Sequence, residues 1–195
     1  MRKSEISRKT KETDISVKLN LDGSGAYEIK TGIGFLDHML ELFASHSKFD
    51  LNIACEGDLR VDFHHTVEDT AISLGMALKE ALGDKRGIKR YGQRILPMDE
   101  ALVICAVDIS GRAALNYDVK LFTEKIGEFD TELISEFMRA FIRESGINLH
   151  IVMMNGENSH HIIEAVFKSL AKALSEAVTI DEKYAKDIPS TKGLL

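Results

Sequence analysis

Two stretches of the sequence begin with paired histidines and continue as amphipathic helices: HHTVEDTAISLGMALKEALG, residues 64–83, and HHIIEAVFKSLAKALSEAV, residues 160–178. Small and aliphatic residues recur at helical spacing in both, at positions 71, 74, 78 and 81 and at positions 166, 170, 173 and 177. Gly83 follows the first stretch and is a favourable residue just after a helix. The sequence therefore predicts two matched helices, each opening with a His-His pair.

These helices belong to an internal duplication. Residues 37–69 and 135–165 each run from an amphipathic helix through a turn and a β-branched strand to a polar turn and a His-His-x-x-Glu motif. His38 precedes His64 by 26 residues and Glu136 precedes His160 by 24, so His38 and Glu136 correspond. Upstream, residues 14–30 and 104–120 each read as two alternating strands joined by a turn with Asp and Gly.

The duplication divides the chain into two half-domains, residues 1–90 and 91–195, packed as one compact unit and joined at LGDKRGIKRYG, residues 82–92. Each half is predicted to run strand, strand, helix, strand, helix, with a further short strand after Gly57 or Gly156. The first helix of the second half is expected to use Asp130 or Thr131 as its N-cap. A small, mostly antiparallel or mixed sheet covered by two helices in each half predicts a duplicated α+β fold.

Composition excludes several functional classes. The chain has 195 residues and a net charge of −6, so neither a nucleic-acid partner nor a membrane-surface partner is indicated. The basic first eleven residues are interpreted as a solvated strand or arm. No apolar stretch is long enough to span a bilayer and no signal-peptide pattern is visible. Cys55 and Cys105 lie in apolar strand-like runs and are interpreted as buried free thiols, which fits a cytoplasmic protein.

The two His-His-x-x-Glu motifs have the chemistry of metal ligands. Positions i, i+3 and i+4 share a helix face, so Glu68 can lie beside His64 or His65, and Glu164 beside His160 or His161. Neighbouring histidines point about 100° apart, so each pair suits two different ions better than one. A single pair is commonly a polar helix start, but two matched copies favour mixed imidazole–carboxylate metal sites.

Five blocks carry a resemblance to a known family: GIGFLDHML, HHTVEDTAISLG, DISGR, NSHHIIEAVFKSLAKAL and the terminal IPSTKGLL. Their order and spacing resemble those of the imidazoleglycerol-phosphate dehydratases, over essentially the whole chain. The resemblance implies a ribosomal protein S5 domain 2-like fold and a metal-dependent hydro-lyase of histidine biosynthesis. It also implies a homo-oligomer, a 24-mer built from trimers, with two Mn²⁺ ions per active site at subunit interfaces.

By the same resemblance, eight residues are the metal ligands: His38, His64, His65, Glu68, Glu136, His160, His161 and Glu164. Many relatives have His at the position of Glu136, and a carboxylate is an acceptable substitute for a hard divalent ion. The resemblance places Glu12 at the substrate as well, and Arg90, Arg112, Ser190 and Lys192 on its phosphate. Without it, Glu12, Arg90 and Lys192 would be interpreted as surface charges and Arg112 as a turn residue.

The implied substrate suggests a mechanism. Imidazoleglycerol phosphate must lose a hydroxyl next to its ring and a hydrogen from the adjoining carbon, and no carbonyl makes that hydrogen acidic. Metal ions on both ring nitrogens would favour the imidazolate, which can expel the hydroxyl and leave a diazafulvene-like intermediate. The catalytic set is expected to comprise Glu12, our hypothesis for the base, with His38, Glu68 and Glu164. The product would be imidazoleacetol phosphate.

The residues alone are compatible with two other interpretations. A dinuclear hydrolase would use the same histidines to activate water, and would release phosphate from the substrate. A non-catalytic assembly protein would use them to join subunits, and would keep its metal and its assembly without dehydratase activity. Spacing alone leaves open whether the ligands meet within one chain or between chains, and which divalent metal they bind.

Overall fold

The structure, a computed structural model, describes residues 2–195 as two successive half-domains. The first contains β1 (Lys3–Lys9), β2 (Thr13–Asn20), β3 (Tyr27–Lys30), α1 (Gly34–Ser47), β4 (Asp50–Gly57) and α2 (His64–Leu82). The second contains β5 (Tyr91–Met98), β6 (Ala101–Asp108), β7 (Ala114–Asp118), β8 (Lys125–Ile126), β9 (Phe129–Asp130), α3 (Leu133–Ser145), β10 (Asn148–Asn155) and α4 (Ser159–Ala177). A 3₁₀ turn at Glu182–Tyr184 precedes the C-terminal residues.

Each half contributes a four-stranded sheet of the same topology. The strand orders are β1-β2-β4-β3 and β5-β6-β10-β7. In both sheets the third and fourth strands of that order are parallel and the other neighbours are antiparallel. The predicted α+β class with mixed sheets is confirmed.

The strand register shows which residues of the two halves correspond. Thr13 opens β2 and Ala101 opens β6, an offset of 88 residues, and Tyr27 and Leu115 keep this offset in β3 and β7. Strands β4 and β10 are related by an offset of 98 residues. Leu51 of β4 pairs with Tyr27, and Leu149 of β10 pairs with Leu115, the counterpart of Tyr27. His38 and Glu136 share that offset of 98 and are therefore counterparts.

The helices lie between the two sheets, and they pair across the halves. Helix α1 packs on α4, and α2 packs on α3. Strands β2 and β6 alternate buried residues with more exposed ones, so each sheet turns one face to the helices. The buried apolar residues form one continuous cluster drawn from both halves. This crossing of helices brings predicted ligands from different halves together.

A glycine permits the close approach of α2 and α3. A Cβ atom at Gly75 would lie 2.6 Å from the carbonyl oxygen of Phe141 and 2.9 Å from Cβ of Glu144. No side chain fits at such distances without displacing the neighbouring helix. Gly75 is therefore a packing residue, although glycine within a helix is intrinsically unfavourable.

Several details of the predicted strand order were wrong. Each half begins with three strands, since β1 and β5 precede the two that the pattern indicated. Both are edge strands with little buried surface, so their hydrophobic alternation is weak. The two predicted strands of each half are not neighbours in the sheet, because β4 separates β2 from β3 and β10 separates β6 from β7.

The further short strand was also misplaced. Within residues 2–195, turns follow Gly57 and Gly156, and the additional strands β8 and β9 form a small hairpin before α3 instead. The expected cap of α3 is not made either. The Thr131 hydroxyl donates to the carbonyl oxygen of Thr123 at 2.7 Å, and the helix begins two residues later at Leu133. The hydroxyl of Thr131 therefore bonds to the segment that precedes β8 and does not cap the helix.

Cys55 and Cys105 are both buried and unpaired, which confirms their interpretation as buried free thiols. Within the basic N-terminal segment, Lys3–Lys9 form β1, which agrees with its interpretation as a solvated strand or arm. No helix within residues 2–195 combines the length and the apolar character needed to cross a membrane.

Candidate metal centre

The crossing of α1 and α4 brings three sequence-predicted ligands together. His38 projects from α1, and His160 and Glu164 lie one turn apart at the start of α4. Nε2 of His38 and Nε2 of His160 each lie 3.1 Å from Oε1 of Glu164. The Glu164 side chain is only 10% exposed, whereas the two histidines are more than 40% exposed. The cluster thus opens to solvent on its imidazole side.

The second oxygen of Glu164 is held by a residue that the sequence analysis did not single out. Nζ of Lys168 lies 2.5 Å from Oε2, and both side chains are largely buried. Burial alone would raise the pKa of Glu164, but hydrogen bonds from Lys168, His38 and His160 outweigh it and hold the pKa at about 2. The i, i+4 spacing of Glu164 and Lys168 was the available signal, although such pairs are also common on solvated helices.

The donor set fits a divalent metal ion. One nitrogen from each histidine and one carboxylate oxygen lie within 4.8 Å of one another, and among residues 2–195 this is the one group of three or more potential ligands so arranged. Two imidazoles and a carboxylate are ligands that manganese, iron, cobalt, nickel and zinc accept. Three protein ligands leave further coordination positions for other groups.

The corresponding positions on α2 and α3 are arranged differently. Nε2 of His64 lies 3.9 Å from Oε2 of Glu68, while Arg143 of α3 places Nη2 at 3.4 Å from the other oxygen. The carboxylate of Glu136 lies 3.6 Å from Nε of Arg139 on its own helix. Arginines therefore neutralise the carboxylates of Glu68 and Glu136. The carboxylate of Glu164 is paired with Lys168 instead.

The second histidine of each pair faces a carboxylate through its Nδ1 atom. Nδ1 of His65 lies 3.0 Å from Asp58, and Nδ1 of His161 lies 2.7 Å from Glu100. These carboxylates raise the pKa of both imidazoles. The hydrogen bond from His161, with backbone N–H groups, lowers the pKa of Glu100 to about 2. Sequence reasoning missed Asp58 and Glu100, because neither lies at helical spacing from its histidine.

Comparison with known proteins assigns this arrangement to a family. The family model for imidazoleglycerol-phosphate dehydratase matches residues 31–174, a span that includes all eight predicted metal ligands. The chain belongs to this dehydratase family. A curated imidazoleglycerol-phosphate dehydratase of Cereibacter sphaeroides is 58% identical over the full length of both chains. That of Lachnoclostridium phytofermentans is 59% identical over 98% of this chain and 97% of its own.

Solved structures of the dehydratase family share the fold. The Staphylococcus aureus enzyme is 41% identical and superimposes with a TM-score of 0.84 over 92% of this chain and 99% of its own. The Pyrococcus furiosus enzyme, solved in complex with (S)-C348, is 41% identical with a TM-score of 0.83 over 97% of this chain and 100% of its own. Membership of the family makes the chain a dehydratase, a lyase.

A cavity of about 400 Å³ adjoins His38 and His160. Three aromatic side chains, Phe35, Phe63 and Phe129, contribute to its walls. Phe35 contacts the His160 ring edge-on, with the ring centroids 5.3 Å apart. This apolar wall fixes the orientation of one histidine and offers a surface on which a planar ring can lie.

The four residues that resemblance to the dehydratases places on the phosphate lie at the other end of the second sheet. Arg90 forms an ion pair with Asp108, at 2.7 Å from Nε, and donates to the carbonyl oxygen of Pro189 at 2.9 Å. Ser190 and Lys192 follow in the same C-terminal segment. A Cβ atom at Gly111 would lie 2.9 Å from the carbonyl carbon of Leu195, so this segment also passes the turn that carries Arg112.

Proposed function

We propose that this protein eliminates water from imidazoleglycerol phosphate to give imidazoleacetol phosphate, a cytoplasmic step of histidine biosynthesis. The observation that carries the proposal is the cluster of His38, His160 and Glu164, in a chain that belongs to the dehydratase family. Such a site suits a substrate that is itself an imidazole, because ring nitrogens are good ligands for the metals that this donor set accepts.

The reaction requires the imidazole ring of the substrate to supply the electrons that expel the hydroxyl. The hydroxyl leaves from the carbon next to the ring, and the hydrogen leaves from the adjoining carbon, which no carbonyl activates. Two Mn²⁺ ions held by the proposed ligands would supply Lewis-acid chemistry that favours loss of the ring proton, and the resulting imidazolate is electron-rich. The hydroxyl would gain a proton and leave as water, and the ring would become diazafulvene-like. A base would then take the proton from the neighbouring carbon, and the resulting enol would convert to the ketone.

The ligand roles follow the duplication. His38, His160 and Glu164 would hold one ion, and their positional counterparts Glu136, His64 and Glu68 would contribute to the other. His65 and His161 are not part of the group formed by His38, His160 and Glu164, so they would be ligands for ions shared with a neighbouring chain. Lys168 keeps one oxygen of Glu164 occupied, so that carboxylate would offer the ion a single oxygen.

Glu12 is the proposed base. It lies in the β1–β2 turn with its side chain 52% exposed, and its Oε1 is 3.8 Å from Nε2 of His65. The turn is anchored on α2, since the hydroxyl of Thr13 donates to Asp69 at 2.5 Å. A half-exposed carboxylate beside a proposed ligand histidine could take the proton from the carbon that adjoins the hydroxyl-bearing carbon.

Chain geometry supports active sites built from more than one copy. Glu164 lies in the first turns of α4, and the backbone of Arg90 donates to Ala177 at its last turn. At a rise of 1.5 Å per residue these ends are roughly 20 Å apart. That span exceeds a five-membered ring carrying a three-carbon phosphate chain. The metal ligands and the phosphate residues of one chain would thus act on different substrate molecules, as in the proposed 24-mer of trimers with sites at subunit interfaces.

The phosphate contacts give a prediction for binding. We expect Arg112→Ala to raise KM by about 10–100-fold with unchanged metal content, because a hydrogen bond to a charged group contributes roughly 1.5–3 kcal/mol. Steady-state kinetics on imidazoleglycerol phosphate measure this. Arg94→Ala, which removes an exposed arginine of β5, is the control and should leave KM unchanged. A normal KM for Arg112→Ala would remove this residue from the phosphate site.

Product analysis tests the proposed function. Manganese-loaded protein should convert imidazoleglycerol phosphate to imidazoleacetol phosphate, seen by proton NMR as loss of the glycerol C–H signals, with no inorganic phosphate released. Protein stripped of metal should be inactive and should recover on addition of a divalent ion. Release of phosphate would indicate a hydrolase, and retained metal without any turnover would indicate an assembly protein.

A further inference from the structure

The hairpin turns before β2 and β6 carry counterpart glutamates. Glu12 directly precedes Thr13 at the start of β2, and Glu100 directly precedes Ala101 at the start of β6. The strand register fixes this correspondence, because both sheets keep the offset of 88 residues through their first three strands. Glu100 is therefore the repeat equivalent of the proposed base.

The two glutamates have different surroundings. Glu12 approaches Nε2 of His65 at 3.8 Å. Glu100 is tied down through both oxygens. Its Oε2 lies 2.7 Å from Nδ1 of His161, and its Oε1 accepts the backbone N–H groups of Glu157 at 3.2 Å and Asn158 at 2.8 Å. A carboxylate with this many fixed partners suits a permanent structural contact better than a proton transfer.

In the first half a different residue contacts the equivalent histidine. Nδ1 of His65 lies 3.0 Å from Asp58, which directly follows β4. A register shift between Met153 and Asn155 adds one residue to β10, so Gly156 is the equivalent of Gly57 and Glu157 is the equivalent of Asp58. The side chain of Glu157 is exposed, and only its backbone N–H contacts Glu100. The same ring atom of equivalent histidines thus meets carboxylates from non-equivalent positions.

We propose that Glu100 is a positioning residue that fixes the tautomer of His161, and that Asp58 does the same for His65 and so leaves Glu12 free for the reaction. The inference rests on the proposed function, since it treats both histidines as metal ligands. A neutral imidazole carries one N–H group. When Nδ1–H donates to the carboxylate, Nε2 keeps its lone pair and can bind a metal ion. Beyond hydrogen-bond distance, Nε2 of His161 lies 3.6 Å from Oδ2 of Asp99, as Nε2 of His65 lies 3.8 Å from Glu12.

Glutamine at position 100 cannot satisfy both sets of partners. If its amide oxygen accepts the two backbone N–H groups, its NH₂ group faces Nδ1 and favours the tautomer protonated at Nε2. If the oxygen faces Nδ1–H, the NH₂ group opposes two backbone donors. Either arrangement removes the oriented lone pair or loosens the loop before α4.

Metal titration of the full-length chain tests the proposal. We expect Glu100→Gln and Asp58→Asn each to weaken Mn²⁺ binding by about 10–100-fold, the usual effect of losing an outer hydrogen-bond partner of a ligand histidine. Electron paramagnetic resonance of free Mn²⁺ measures this on metal-stripped protein. Glu157→Gln is the matched control, because its exposed side chain lies in the same loop, and it should bind Mn²⁺ normally.

A second readout is independent of the variants. In the metal-stripped wild-type chain, ¹⁵N shifts of the imidazole rings should show His65 and His161 protonated at Nδ1. Protonation at Nε2, or normal Mn²⁺ affinity in Glu100→Gln, would overturn the proposal, provided that His161→Ala weakens binding. If His161→Ala binds Mn²⁺ as tightly as wild type, the ligand assignment of the proposed function fails instead, and the positioning role fails with it.

Discussion

Glu12→Gln is expected to lower kcat by about 10²–10⁴-fold while leaving metal content and folding unchanged. General-base catalysis contributes that factor, and glutamine of the same shape cannot accept the proton. The side chain is half exposed and has no close hydrogen-bond partner of its own within residues 2–195, so its loss disturbs little of the fold. Steady-state kinetics and metal analysis of the same preparation provide the two measurements.

The control for Glu12→Gln is Glu5→Gln on the same hairpin. Glu5 forms an exposed ion pair with Lys18, and such pairs contribute only about 0–1 kcal/mol. This variant should have normal kcat and normal metal content. Near-normal turnover in Glu12→Gln would remove Glu12 from the reaction, whereas loss of metal would assign it to the metal site.

Glu164→Gln is expected to reduce affinity for divalent ions by more than about 100-fold, and to abolish turnover at ordinary metal concentrations. The change removes the one carboxylate shared by His38 and His160, so its effect should exceed the 10–100-fold that an outer partner contributes. It also leaves Lys168 buried without its counter-charge, which should lower the free energy of unfolding by about 1–3 kcal/mol.

A double variant separates metal binding from folding. Glu164→Gln combined with Lys168→Met removes the unpaired charge and should recover most of the lost stability without recovering the metal. Equilibrium denaturation of metal-free protein measures the stability, and Mn²⁺ titration measures the binding. Tight metal binding by either variant would contradict the assignment of Glu164 as a ligand.

Acid pH gives a further signature of Glu164. Its pKa is lowered from 4.5 to about 2, so its interactions stabilise the metal-free fold above about pH 4.5 and are lost as the pH falls toward 2. Glutamine does not titrate. The stability difference between wild type and Glu164→Gln should therefore shrink as the pH falls from 4.5 to 2, which denaturation curves at several pH values would show.

The sequence predicted the features that periodicity and duplication encode. The helices α2 and α4 were expected where they occur, because their buried face repeats at helical spacing over about five turns. The sequence also identified His38 and Glu136 as counterparts, because each precedes the His-His motif of its own half by a similar number of residues. Edge strands β1 and β5 were harder to predict, because their exposed faces carry no regular apolar pattern.

The candidate site could be predicted only in part, because its contacts depend on how the halves pack. Nothing in the spacing says that α1 crosses α4, and this crossing brings His38 to Glu164. The carboxylates at Asp58 and Glu100 reach their histidines through loop geometry, which local patterns do not record. Arg143 reaches Glu68 from another helix, 75 residues away along the chain.

Anomalous diffraction at the manganese absorption edge, from crystals of the manganese-loaded protein, tests the central claim most directly. We predict an anomalous peak within ligand distance of His38, His160 and Glu164, and a second peak beside His64 and Glu68, with side chains of a neighbouring copy completing both sites. Peaks confined to other residues, or none at the His38 cluster in a fully active preparation, would contradict it.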